Sequence, residues 1–221
     1  MTKLKLFFLR HGQTQFNVYR RLQGWSNSQL TEKGITVAQE AGRAFSDISF
    51  EAVYSSDLTR AIETGRIFLA QRDQQQPPIQ EVKKLREVGF GYYEGLYGPE
   101  VWKIAEDRAR DVYDLEEDAV ITEGMKLNML KELDPAQLAE NYDDFSSRLL
   151  DAMADIVGHH SHGNLLLVSH SSAIKALFNL LDPDYKTDVD PENGSVSVMT
   201  YENGRYRVVA YNIFNREELD L

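Results

Sequence analysis

Short apolar runs alternate along the chain with longer stretches of mixed polarity. Leu4–Leu9, with Phe7 and Phe8 at its centre, has the length and character of a buried strand. A polar loop rich in Gln and Asn follows to about Leu30, and Thr31 is placed to cap a helix running to about Ser46. Ala52–Ser55 reads as a short strand, with a helix opening near Ser56 or Asp57 and ending at about Arg72. Gln74–Pro78 is a surface loop and the only low-complexity stretch. Ile79–Leu85 predicts a third strand, Pro99–Tyr113 a helix and Ala136–Val157 a long amphipathic helix. Residues 114–134 are acidic and read as irregular. Asn164–Ser169 is another unbroken apolar strand, and a helix follows over Ser171–Leu181. Ser195–Tyr201 and Arg205–Tyr211 are strands joined by Glu202-Asn203-Gly204, whose Asn-Gly pair is a strong hairpin signal.

Strands alternating with helices imply an α/β fold: a three-layer sandwich around a central, mostly parallel sheet. Residues 1–221 are expected to form a single domain, with a helical insertion at about 96–135 covering the ligand pocket. In such sheets ligands bind outside the carboxyl ends of the strands. That rule selects Arg10-His11 after the first strand and Ser55-Ser56-Asp57 after the second, with Arg60 one turn into its helix. It also selects Arg86-Glu87 after the third apolar stretch and Ser169-His170 after the fourth.

Composition narrows the chemistry. The chain has 221 residues, 42% of them hydrophobic and 27% charged, which is ordinary for a globular protein and argues against wholesale disorder. It contains no cysteine, so disulfides, thiolate metal sites and a cysteine nucleophile are excluded. The net charge of −11 makes it a poor binder of nucleic acid, which demands concentrated Lys and Arg. The apolar run Leu6–Leu9 is too short for a signal core or a membrane span, so a cytoplasmic location without membrane attachment is expected. The charge is uneven. Residues 1–60 hold 8 basic and 5 acidic side chains, residues 61–221 hold 16 and 30. An anion site in the N-terminal quarter fits that asymmetry.

Two arginines and two histidines converging on one point suggest a phosphoryl group, because guanidinium forks match phosphate oxygens. A neutral histidine can attack phosphorus, provided one ring nitrogen is free and the other is held by a hydrogen bond. A second, protonated histidine would stabilise the equatorial oxygens. Glu87 would protonate the leaving alcohol if the pocket raises its pKa. No metal or cofactor is required by this set. His159, His160 and His162 form an HHxH cluster that more simply ends a helix than binds a metal.

Leu9-Arg10-His11-Gly12-Gln13-Thr14, with Asn17, resembles the LRHGxT signature of the histidine phosphatase superfamily, also called phosphoglycerate mutase-like. The resemblance continues in order through Gln23-Gly24-Trp25, Leu30-Thr31-Glu32-Lys33-Gly34, Tyr54-Ser55-Ser56-Asp57-Leu58-Thr59-Arg60-Ala61, Leu85-Arg86-Glu87 with Gly91 and Glu94-Gly95, Val168-Ser169-His170 and Asn193-Gly194-Ser195. It implies that His11 is phosphorylated during turnover, that Arg10, Arg60 and His170 form its phosphate pocket and that Glu87 is the proton donor. It implies contacts to substrate from Thr14, Asn17, Gln23 and Gly24. The chain departs from the family pattern at Ser171-Ser172, where glycine is common, at Asn27-Ser28, where Asp-Pro is common, and at the variable Tyr92-Tyr93.

The residues after Glu87, Val88-Gly89-Phe90-Gly91-Tyr92-Tyr93-Glu94-Gly95, are closer to the phosphatase pattern of the family than to the His-Tyr-Gly of its cofactor-dependent mutases. Segment 106–118 holds 7 acidic and 2 basic residues, ill-suited to clamping a second phosphate. The expectation is therefore a phosphatase of small phosphate esters, monomeric or homodimeric. A mutase using the same residues and a non-catalytic phospho-ligand sensor are the alternatives. Intact His11 and Glu87 argue against the sensor.

Overall fold

The computed structural model describes residues 2–73 and 75–219, so Gln74 of the expected loop lies outside the described residues. Among them, six strands form one sheet: β1 (Lys3–Arg10), β2 (Ala52–Ser55), β3 (Ile79–Glu81), β4 (His162–Ser169), β5 (Val196–Glu202) and β6 (Arg205–Ile213). Their spatial order is β3-β2-β4-β1-β5-β6. β4 lies parallel to β1 and β2, and β2 parallel to β3. Only β5 opposes the rest, antiparallel to both β1 and β6. The helices are α1 (Gln15–Val18), α2 (Glu32–Ala44), α3 (Thr59–Leu69), α4 (Gly98–Tyr113), α5 (Glu123–Leu133), α6 (Tyr142–Gly158) and α7 (Ser171–Leu181).

Side chains of a strand alternate between faces. Leu4, Leu6 and Phe8 of β1 join Leu165 and Leu167 of β4 in one core, closed by α4, α5, α6 and α7. Phe7 and Leu9 join Leu166 and Val168 in a second core, closed by α2 and α3. Helices on both faces explain why these strands read as unbroken apolar runs. The result is the expected three-layer arrangement. Register brings the strand ends level: Arg10 pairs with Ser169, and Ser55 with Val168. Arg10-His11, Ser55-Ser56 and Ser169-His170 thus emerge together at one carboxyl edge.

Several element boundaries differ from expectation. The third strand ends at Glu81 because its single neighbour, β2, ends at Ser55, and a 3₁₀ turn over Lys83–Leu85 takes its place. α3 opens at Thr59 with Leu58 as an N-cap that lends no side-chain oxygen, so Ser56 and Asp57 precede the helix. α6 opens at Tyr142 rather than Ala136. The Asp134 carboxylate accepts from the amides of Ala136, Leu138 and Ala139, which fixes a turn, and Asn141 caps the helix by accepting from Asp144. The acidic stretch contains α5, capped by Thr122 and buried through Leu127, Met129 and Leu130. α1 is a single turn inside the polar loop, closed by a capping box between Thr14 and Asn17.

Candidate active site

His11 is the first residue after β1 and is buried. Its Nδ1 lies 2.8 Å from the Gly12 carbonyl, so Nδ1–H donates there. Nε2 is then unprotonated and accepts from Arg60 Nε at 3.3 Å. Burial, Arg60 and Arg10 push this imidazole well below the usual histidine value, which keeps it neutral. Asn193 donates to the His11 carbonyl at 2.9 Å and fixes the backbone from the β5 side. The bend after His11 requires glycine at position 12, where a Cβ would sit 2.3 Å from the Gly34 carbonyl oxygen.

Arg60 is fully buried on the first turn of α3. Besides His11, it donates to the carbonyls of Ser26, Gln23 and Gly24 and to Asn27 Oδ1, so all five N–H groups face protein acceptors. Burial lowers its pKa to about 10, against the pull of Glu87 and Glu94, and it stays charged at neutral pH. Arg10 donates through Nη1 to the Pro191 carbonyl. Its Nε is buried and has no hydrogen-bond partner among the described residues, and the same holds for His170 Nδ1 and Ser171 Oγ. Two of these unsatisfied atoms, Arg10 Nε and His170 Nδ1, belong to residues beside His11 and make a ready pair for an oxyanion, since such groups otherwise find partners.

His170 caps α7, and its ring centroid lies 5.1 Å from that of His11. Its Nε2 meets Ser56 Oγ at 2.8 Å. The protonated second imidazole expected from the sequence is not what its surroundings favour. Burial, Arg60 and His11 push His170 well below the usual histidine value.

Glu87 is buried, and burial pushes its carboxyl above the ordinary value. The Val88 amide donates to Oε1 and the Ser172 amide, at the start of α7, to Oε2, both at 3.0 Å. The Glu87 carbonyl accepts from Trp25 Nε1 and from Arg148. Arg148, on α6, also holds the carbonyls of Lys84 and Arg86 and forms a two-pronged pair with Glu140. Sequence reasoning missed this residue, because nothing in a helical run marks which arginine turns inward. Arg86 is engaged by Asp57, bidentate at 2.6 Å, and lies over the Trp25 ring.

The remaining expected residues build the wall. Thr14 Oγ1 donates to Gln23 Oε1 at 2.6 Å, and Gln23 Nε2 donates to Ser28. Both ends of the Gln23 amide are thereby engaged. Asn17 accepts from the Thr14 amide and from Asn193. Gly24 is pressed so closely on Val88 that a Cβ would lie 2.1 Å from its carbonyl oxygen. The Glu94 carboxylate accepts from the amides of Gly24, Trp25, Ser26 and Phe90 and from the Ser26 hydroxyl. That role is one of an acceptor clamp. Glu94→Gln replaces one acceptor oxygen with a donor facing donors. It should cost about 2 kcal/mol of stability in a urea unfolding experiment.

A cavity of about 840 Å³ is lined by Trp102, Ile121, Met125, Tyr142, Ser172 and Lys175 among others, and Ser172, whose amide holds Glu87, links it to the site. The histidines of the HHxH cluster do not converge: His159 meets the Asp155 carbonyl, His160 the Tyr54 hydroxyl and His162 the Ser161 hydroxyl. No helix among the described residues is long and apolar enough to cross a membrane.

The sequence pattern of the histidine phosphatase superfamily (branch 1) matches residues 6–213. A 2,3-bisphosphoglycerate-dependent phosphoglycerate mutase of Staphylococcus haemolyticus is 30% identical across 80% of this chain and 84% of its own length. The crystal structure of a phosphoglycerate mutase from Bacillus anthracis shares the fold with a TM-score of 0.86 and 32% identity, covering 97% of this chain and 94% of that one. A mycobacterial glucosyl-3-phosphoglycerate phosphatase does so with a TM-score of 0.70 and 25% identity, covering 94% and 98%. Mutases and phosphatases both stand among the similar proteins.

Proposed function

The chain belongs to the histidine phosphatase superfamily, branch 1, and on that premise we propose that it hydrolyses small phosphomonoesters through a phosphohistidine on His11. The observation that carries this reading is the His11 imidazole, neutral, with Nδ1–H anchored on Gly12 and the nucleophilic lone pair therefore on Nε2, where Arg60 Nε donates a long hydrogen bond that incoming phosphate replaces. In the first step Nε2 attacks phosphorus. The P–O bond to the alcohol breaks as the leaving oxygen takes the proton of Glu87. Arg10 Nε and His170 Nδ1 donate to the phosphoryl oxygens, and Arg60 Nε–H, released from Nε2 as that lone pair turns to phosphorus, adds its charge beside them. In the second step water attacks phosphorus, Glu87 takes its proton, and the P–N electron pair returns to Nε2. The positive charge needed for phosphate comes from the arginines, so turnover should survive exhaustive chelation. Loss of activity on EDTA treatment, restored by a divalent ion, would contradict that expectation.

Hydrolysis is favoured over isomerisation by the charges of the cavity beside Glu87. A mutase working with a bisphosphate needs free cations for the second phosphate. Here Lys126 is paired with Glu106 at 2.8 Å, and Lys175 with Glu123 at 2.9 Å and Asp190 at 2.6 Å. The names of the Staphylococcus and Bacillus relatives favour the mutase alternative. Product analysis after incubation with a phosphoglycerate separates the two. Free phosphate supports the hydrolase, and accumulation of the positional isomer without free phosphate supports the mutase.

A further inference from the structure

The cavity beside Glu87 also carries information about the alcohol that leaves. Ser172 lines it, and the amide of the same residue donates to Glu87 Oε2 at 3.0 Å. Glu123 and Asp190 of the lining act electrostatically on Glu87 and Arg10, so the cavity adjoins the phosphate site, and its volume suits a metabolite-sized leaving group. One wall is apolar, formed by Trp102, Ile121 and Met125. The ionisable lining is unbalanced. Glu106, Glu123, Asp188 and Asp190 face Lys126 and Lys175. Both lysines are already held by carboxylates, as described above, and Asp188 is exposed to the opening. Burial alone would depress Lys175, but Glu123 and Asp190 outweigh it and push the ammonium up to about 12. It stays charged and committed to its two partners, leaving an apolar surface with a surplus of negative charge.

Building on the phosphomonoester reading above, we propose that this cavity selects esters of alcohols with an apolar body and an amine, and disfavours alcohols carrying a carboxylate or a second phosphate. The phosphate is drawn by Arg10 and Arg60 and the amine by the acidic lining, so the two ends of the substrate bind at opposite charges. An uncharged alcohol falls between the two classes.

The test uses three aryl phosphates of matched shape: phosphotyramine, its neutral ethylphenyl analogue and the corresponding phenylpropionate ester. The three phenols have closely similar acidities, so the acid step weighs equally on all three and the comparison isolates the charge. At low salt, kcat/KM should fall from amine to neutral to carboxylate, with roughly tenfold between the extremes, as expected for one or two charges near a protein surface. The ratio should shrink as salt is raised. Asp188→Asn should narrow it by roughly threefold, and an unchanged ratio would remove the effect from this cavity. The uncleavable benzylphosphonates of the same three groups, titrated calorimetrically into the wild-type protein, should bind in the same order. If no ester is cleaved but the phosphonates keep that order, the hydrolytic reading fails and the preference of the cavity stands. Equal affinities, or tightest binding of the carboxylate, overturn the inference whatever the turnover.

Discussion

His11→Ala is expected to lower turnover on any phosphomonoester by on the order of 10⁴–10⁶-fold, the loss seen when a nucleophile is removed from a site whose other groups are intact. The fold should persist, because the hydrogen bonds that anchor this segment are made by backbone atoms. The His11 amide donates to the Ser169 carbonyl, its carbonyl accepts from Asn193, and the Gly12 amide donates to Thr64. The circular dichroism spectrum should therefore match the wild type. Residual activity within about tenfold of wild type would mean that water, not His11, attacks phosphorus.

Glu87→Gln is expected to discriminate between substrates. An alkyl alkoxide is a poor leaving group unless protonated, whereas nitrophenolate leaves unaided. The variant keeps one of the two acceptor oxygens, those facing the Val88 and Ser172 amides, and has no proton to transfer. It should lose roughly 10²–10⁴-fold on an alkyl phosphate and about tenfold or less on p-nitrophenyl phosphate. The pH dependence follows from the burial of this carboxyl, which raises its pKa. The acid form is the active one, and it is lost as pH rises through that raised value. Wild-type kcat/KM on the alkyl ester should fall along that limb, and the variant should lack it. Equal losses on both substrates would leave Glu87 as a positioning group only.

Most of this site is legible in the sequence because it sits at strand ends. Arg10-His11 and Ser169-His170 each follow an unbroken apolar run, and such runs mark the buried parallel strands whose carboxyl ends carry ligands. The strand-end rule selects Glu87 on the expectation of a third strand reaching Leu85, but β3 stops at Glu81 and a 3₁₀ turn, not a strand, delivers it. The groups that hold these residues in place were harder to read. Glu94 and Arg148 act on backbone amides and carbonyls brought near by the fold from 60 or more residues away. α5 was hidden by the acidic run before it, because its apolar residues Met125, Leu127, Met129 and Leu130 do not follow a clean helical period. The same helix lines the cavity that shapes the proposed preference for the leaving group.

The central claim is that phosphate passes through His11, and rapid quenching tests it most directly. The wild-type protein is mixed with substrate, quenched in alkali within the first turnovers, digested and examined by mass spectrometry. A peptide containing His11 and carrying one phosphoryl group, stable in base and lost in acid, is the expected result. A phosphoryl group on another residue, or none during active turnover, would contradict the account.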